Sequence, residues 1–270
     1  MTHSPTVIRA LLEEHGIDPS RALGQNFLAD ANIVRKIVRL AGVRAGDRVV
    51  EVGAGLGSLT LALLDAGAQV TAIEIDRRLL PILRSVAGPA GATVIGGDAM
   101  VLDWQALLGD GPWNLVSNLP YNIATPLVLD LLAAVPVIDR MLVMVQLEVG
   151  ERLVATPGTK AYGIPSVRRA WWADAEVVGK VPPGVFIPPP RVDSALVSIR
   201  RREPAGDEAQ RSAVFALVEA GFGQRRKMLR RSLAGRVDPP AFDRAGVRPE
   251  ARAEELALAD WLRLAAATAP

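Results

Sequence analysis

Apolar and polar positions recur along this chain with two different periods, and each change of period predicts a change of element. From Thr6 to Glu14 the apolar residues fall at helical spacing, and a loop carrying Leu23, Gly24, Gln25, Asn26, Phe27 and Leu28 follows. A second helix is predicted from Asp30, a suitable N-cap, with Ile33, Val34, Ile37, Val38 and Ala41 on one face and Gly42 at its end. Short apolar runs then alternate with helical patterns. Strands are predicted over 47–53, 68–76, 92–98, 113–118 and 141–146, and helices over 59–66, 77–86, 104–108, 126–134 and 148–155. This is the βαβ rhythm of a parallel sheet. Two further β-rich runs, 175–181 and 195–201, joined by a proline-rich loop, finish the sheet. Past a boundary near 203–206 the pattern is helical only, over 209–221, 227–233 and 251–267. The expected fold class is α/β, with a Rossmann-like seven-stranded sheet and N-terminal helices in residues 1–204 and a small all-helical domain in 205–270.

Composition narrows the function classes. Half of the 270 residues are apolar, enough for a full α/β domain and a small appendage without covalent staples. With no cysteine and only His3 and His15 as imidazoles, a structural zinc site is excluded and no metal is expected. The first sixteen residues lack an uninterrupted apolar run, and no stretch reaches the roughly 18 apolar residues of a membrane span. A cytoplasmic protein without a membrane partner is expected. The net charge of +2 says little, but its distribution is uneven: residues 191–236 hold eleven basic and five acidic side chains, and 237–270 hold four and six.

Candidate chemistry sits at the predicted strand ends. Strand 47–53 runs into Gly53-Ala54-Gly55-Leu56-Gly57, where small residues let a ligand approach the backbone. Glu74, ending the next strand, is placed to accept hydrogen bonds from vicinal ribose hydroxyls, and Asp98, after the third, from the exocyclic amine of an adenine. A bare tight turn is one alternative. A dinucleotide site is another, but its G-x-G-x-x-G fingerprint is not met, since Ser58 stands where the third glycine would fall. S-adenosylmethionine, an adenosine cofactor without pyrophosphate, fits the loop better.

The fourth strand ends in Asn118-Leu119-Pro120-Tyr121. An exocyclic aromatic amine is a poor nucleophile because its lone pair is delocalised into the ring. The Asn118 side-chain oxygen and a backbone carbonyl of Leu119 or Pro120 can bind its two hydrogens and favour a pyramidal nitrogen. Proline fixes the backbone there and removes a donor, and Tyr121 offers a face on which a base can stack. Asn and Pro are also ordinary turn formers. Placement after the strand expected beside the glycine loop, at the carboxyl edge where α/β proteins bind ligands, favours the catalytic reading.

These segments resemble the ribosomal RNA adenine N6,N6-dimethyltransferase family, in particular its bacterial small-subunit branch. The likeness is carried by 23–28, 51–57, 74–76, 97–99, 118–123, 144–146, 186–194 and 225–229, and so spans most of the chain. It implies the seven-stranded S-adenosylmethionine-dependent methyltransferase sheet, S-adenosylhomocysteine as product, and a cofactor site of Asn26, Leu28, Gly53, Gly55, Glu74, Asp98 and Asn118. It also implies that Phe186 sandwiches the target base against Tyr121, although Phe186 in a proline-stiffened loop reads equally as a core plug. The implied substrate is a pair of adjacent adenosines in a hairpin loop near the 3′ end of 16S rRNA, within an immature small subunit, and a monomeric enzyme is expected. Two positions depart from the family pattern, Leu147 where lysine is common and Pro165 where leucine is common.

The basic run Arg225, Arg226, Lys227, Arg230 and Arg231 suits RNA phosphates, with 200–202 a second candidate, though charge runs are more often solvated faces. Two rival functions stand beside the small-subunit reading. One is dimethylation of 23S rRNA, whose enzymes usually carry Ile where Leu119 stands. The other is an assembly checkpoint whose binding, rather than methylation, is the main role.

Overall fold

In the computed structural model, which describes residues 2–20 and 22–268, each change of period becomes a change of element. Helix α1 (Pro5–Glu14) is capped by the Ser4 hydroxyl and buries Ile8 and Leu12. The two-residue strand β1 (Phe27–Leu28) precedes α2 (Ala31–Ala41). Asp30 caps α2, accepting from the Asn32 and Ile33 amides, and Gly42 closes it in the left-handed region. Then come β2 (Arg48–Val52), α3 (Ser58–Asp65), β3 (Gln69–Glu74), α4 (Leu80–Ala87), β4 (Thr93–Gly96) and α5 (Trp104–Leu108). They are followed by β5 (Trp113–Asn118), α6 (Ala124–Ala134), β6 (Ile138–Gln146), α7 (Leu147–Val154) and α8 (Ile164–Trp172). The strands end with β7 (Ala173–Val181), β8 (Phe186–Ile187) and β9 (Ser194–Arg201), and α9 (Glu208–Gly223), α10 (Leu229–Ser232), α11 (Pro239–Ala245) and α12 (Leu258–Thr268) complete the described chain.

The chain divides into two compact units, one of Met1–Gly150 with Ala175–Arg201 and one of Glu151–Asp174 with Arg202–Pro270. In the first, seven strands lie in the order β4-β3-β2-β5-β6-β9-β7. Strands β2 to β6 are parallel to their neighbours, and β9 runs antiparallel to β6, with Val143 opposite Val197. This is the Rossmann-like seven-stranded sheet that the alternating pattern predicts. Its inner strands are apolar on both faces, with Val49, Val50, Leu115, Val116, Leu142 and Val143 all buried, as a helix-covered sheet requires. Val34 and Ile37 of α2 and Leu59 and Leu63 of α3 cover one face. Strand order reverses between β2 and β5, so their carboxyl ends diverge there and leave a crevice. A separate ribbon, β1 against β8, pairs Leu28 with Phe186.

The second unit buries Trp171 and Trp261 completely, in one cluster with Val167, Val214, Leu229 and Phe242. Gly221 of α9 makes that packing possible: a Cβ there would stand 2.8 Å from the Trp261 ring. Where the sequence sets one boundary near 203–206, the helical unit also takes in 151–174, because α8 contributes Val167 and Trp171 to this core. Among the described residues no helix is long and apolar enough to cross a membrane.

Candidate active site

Strand β2 ends in a loop whose three glycines, Gly53, Gly55 and Gly57, all have positive φ (73°, 58° and 85°), a conformation that side chains disfavour. The amides of Gly53 and Ala54 both donate to the Ile73 carbonyl, which pins the loop to β3. Space is short as well. A Cβ on Gly53 would lie 3.0 Å from Pro120, and one on Gly55 3.1 Å from the Phe27 ring. Two motifs 67 positions apart in sequence therefore meet in van der Waals contact: the glycine loop and the tetrapeptide that ends β5.

The crevice is lined by Asn26, Leu28, Gly53, Gly55, Glu74, Asp98, Asn118 and Pro120, so it gathers every residue expected to hold the cofactor. Glu74 is buried, and its carboxylate accepts from the Gly55 amide at 2.8 Å and the Asp76 amide at 2.9 Å. Burial raises its pKa against the lowering effect of those bonds. The Ile75 amide also contributes a hydrogen bond, and three amide donors still leave the carboxylate capacity to accept from a ligand. Asp98 accepts from the Met100 amide through Oδ1, which fixes its rotamer. The Asn118 amide nitrogen donates to the Asn26 carbonyl at 3.1 Å, which assigns the amide orientation and leaves Oδ1 as the acceptor.

The remaining expected residues lie around this lining. Leu119 is buried, and its amide donates to the Met144 carbonyl, holding the tetrapeptide to β6. The Pro120 carbonyl accepts from the Ile123 amide. The Tyr121 hydroxyl shares a hydrogen bond with Ser194 at 2.8 Å, and burial raises its pKa. Phe186 is only 2 % exposed, packed in the core with Leu28, Val34, Met144 and Leu196. Its pairing with Leu28 across the β1–β8 ribbon turns the ring inward, so in this conformation it presents no free face to a base.

Three features lay outside the sequence expectation. Glu51 lines the crevice from β2, buried, with the Thr60 hydroxyl donating to it at 2.5 Å. Burial first, and the nearby Glu74 charge after it, push its pKa up to about 8. An acid inside an otherwise apolar buried strand is the signal that marks it. Asp76 ties down the N-terminal loop: its carboxylate accepts from Gln25 Nε2 at 2.8 Å and from Arg78, and the Arg78 bond above all lowers its pKa to about 2. Ser58, at the N-terminus of α3 and lining the crevice, is buried with its hydroxyl unbonded among the described residues. That orphaned hydroxyl, the free lone pairs of Glu74 and Asp98, and the side-chain-free glycine floor all fit a polar adenosine-containing ligand.

In the helical unit the basic run separates into two kinds of residue. Arg225 is bonded to Glu254 at 2.6 Å and to the Lys160 carbonyl, and Arg230 lies 3.4 Å from Glu250. Arg226 and Lys227 are exposed and have no ion pair among the described residues. Also among the described residues, no three His, Asp or Glu side chains gather as a metal-ligating group.

Comparison with known proteins agrees with this arrangement. The family model described as ribosomal RNA adenine dimethylase matches residues 19–269. The ribosomal RNA small subunit methyltransferase A of Leifsonia xyli subsp. xyli is 50 % identical, with 97 % of each chain aligned. That of Streptomyces coelicolor is 48 % identical over 97 % of this chain and 95 % of its own. Among solved structures, the 23S rRNA methyltransferase ErmE superposes with a TM-score of 0.71 at 30 % identity, covering 90 % of this chain and 99 % of its own. A dimethyladenosine transferase from Plasmodium falciparum, at 23 % identity and a TM-score of 0.74 over 88 % of this chain and 95 % of its own, shares the fold. With the match running nearly end to end and the crevice built from the residues that carry the resemblance, this chain belongs to the ribosomal RNA adenine dimethylase family.

Proposed function

We propose that this chain dimethylates N6 of two adjacent adenosines in a hairpin loop near the 3′ end of 16S rRNA, using S-adenosylmethionine and releasing S-adenosylhomocysteine. As a family member the protein is an S-adenosylmethionine-dependent rRNA adenine dimethyltransferase, and small-subunit rRNA is its substrate class. The roughly 50 % identity to small-subunit enzymes, against 30 % to a 23S enzyme, supports the small-subunit branch. The finer statements, that the substrate is an immature subunit in the cytoplasm and that the enzyme acts as a monomer, are part of this reading.

The assignment of roles follows the geometry. Glu74 would accept from the ribose hydroxyls, Asp98 from the adenine amine, and the Gly53–Gly57 loop would admit the rest of the cofactor to the backbone. When bound, the cofactor supplies an electrophilic methyl group on sulfonium. Asn118 Oδ1 and the Leu119 carbonyl would hold the two hydrogens of the target amine, since the Pro120 carbonyl already takes a turn bond. Displacement at the methyl carbon then needs orientation rather than a strong base. Tyr121 is anchored by Ser194 beside that amine site, and Phe186 reaches the base only by turning out of its core position.

One observation carries the reading: the Asn118 amide is held by the Asn26 carbonyl with its oxygen left to accept. Asn118→Ala is expected to lower methylation of small subunits at least 100-fold, the scale of an electrostatic group lost from an active site, and to weaken cofactor binding by a much smaller factor, since Asn118 is one of several residues lining the cofactor crevice. Mass spectrometry of RNA from subunits incubated with protein and cofactor reads the first quantity, and calorimetry the second. Undiminished dimethylation by the variant, or methyl groups appearing on large-subunit RNA alone, would overturn the proposal.

A further inference from the structure

The sheet edge opposite the crevice carries an arginine band that the proposed reaction does not use. Arg35 and Arg39 stand one turn apart on α2, and Arg44 follows its closing Gly42. Together they line a concavity of about 610 Å³ against Val38 and Ala62, with Asp65 the single acid in its lining. A second concavity shares Gly42 and is lined by Arg140 and Arg200. Those two residues sit directly opposite each other in the β6–β9 ladder. Like charges so placed repel, and a sequence keeps them at a cost unless an anion relieves it.

Elsewhere some of the arginines are held by acids and others are not. Nine of them, from Arg78 to Arg263, meet a carboxylate within 4 Å among the described residues. Among the described residues none of the five in this band does so. Arg35 bonds only the Asn32 side chain, and all five are exposed. Guanidinium forks set around concavities with apolar walls, with one lining acid among five bases, match the sugar–phosphate backbone of RNA rather than a lone small anion.

Position adds a further constraint. Residues at the start of β2 and β6 are separated from the crevice at the carboxyl ends by about 17 Å of strand, taking five residues at ~3.3 Å each. A base seated at Asn118 and a phosphate seated at Arg39 therefore lie at opposite ends of the sheet, so that phosphate is not the target nucleotide's own. Resting on the rRNA reading above, we propose that this edge is a second RNA-binding surface. It grips a backbone segment remote from the target adenosines, so that a large folded RNA is held more tightly than the isolated hairpin.

The test compares the unsubstituted chain with Arg39→Glu/Arg44→Glu/Arg140→Glu. Binding to small-subunit particles, to protein-free small-subunit RNA and to a short target hairpin is titrated across salt concentration. The expected result is that the slope of log affinity against log salt falls by about three for both large substrates, close to one for each phosphate no longer neutralised. Hairpin affinity, cofactor affinity and melting temperature should stay unchanged. Should the triple variant misfold, the milder Arg39→Gln/Arg44→Gln pair, with an expected loss of about two in slope, takes its place. Unchanged slopes would overturn the inference, as would weakening confined to particles, which would mark a protein partner. Failure of the unsubstituted chain to bind or methylate small-subunit RNA at all would instead reject the functional reading on which the inference rests.

Discussion

Glu51 shows how much one side chain can impose on a site. Its carboxyl is buried in β2, takes a hydrogen bond from Thr60, and faces the charge of Glu74, so it keeps its proton up to about pH 8. In the unfolded chain the same group ionises near pH 4.3. Between those values the folded state binds the extra proton, so stability falls as pH rises through this window and levels off above about pH 8. Replacing the acid by an amide of the same shape removes the titration but keeps an acceptor for Thr60. Glu51→Gln is therefore expected to flatten the pH dependence of melting temperature between about pH 4.5 and 8 and to raise stability at pH 8 and above by on the order of a few kcal/mol. Thermal melts of both proteins across that range check this, and parallel curves would mean that the Glu51 carboxyl does not carry the proton. The opposite case is Asp76, whose carboxyl is held low by Arg78 and Gln25. Its contribution is present above about pH 4 and is lost as pH falls through 2, well outside the Glu51 window.

Single arginines act at the scale of whole elements. Helix α6 ends at Ala134 without a glycine or a charged residue in its last turn. Arg201, at the end of β9, supplies the missing partner: its guanidinium donates to the carbonyls of Ile138, Leu132, Leu131 and Val135 at 2.8–3.1 Å. A residue that reads as a phosphate ligand in the sequence is thus a helix cap. Arg201→Met should cost about 2–3 kcal/mol in chemical denaturation by orphaning those carbonyls, and Arg201→Lys should recover little, because a point charge cannot serve four acceptors. Recovery by lysine would show that charge, not the fork, is what α6 requires. The sequence made most elements legible because their apolar periods were clean. It hid those whose signals conflict. Helix α8 carries Pro165 and α11 carries Pro239 and Pro240, which read as loop, yet each lies in a first turn, where the missing amide is not needed. That also explains why Pro165 in place of leucine is tolerated. Conversely, 251–267 reads as one helix, but a short 3-10 turn at Ala253–Glu255 and a new start at Leu258 interrupt it. The crevice was legible through its glycines and acids. Its closure by Gln25, and the inward turn of Phe186, depend on partners far away in sequence and carry no local pattern.

The helical unit poses the same question for the molecule as a whole, namely which of its many bases serve folding and which serve RNA. Arg225 is committed within the unit, bridging the Glu254 carboxylate and the Lys160 carbonyl. Its side chain is 42 % exposed, so the ion pair itself is screened, and its loss should cost no more than about 1 kcal/mol. The side chains of Arg226 and Lys227, next to it, are exposed and pair with no acid among the described residues, and their removal should leave stability within about 0.5 kcal/mol. Their value to RNA should be the reverse. If the run contacts rRNA phosphates, Arg226→Ala/Lys227→Ala lowers the salt slope of subunit binding by about two, whereas Arg225→Ala shifts the denaturation midpoint and changes the slope by less than one. Salt titrations and denaturation curves on the two variants separate the roles. A double variant that binds with an unaltered slope would assign these two bases to solvent and leave the recognition of distant rRNA to the arginines at the sheet edge.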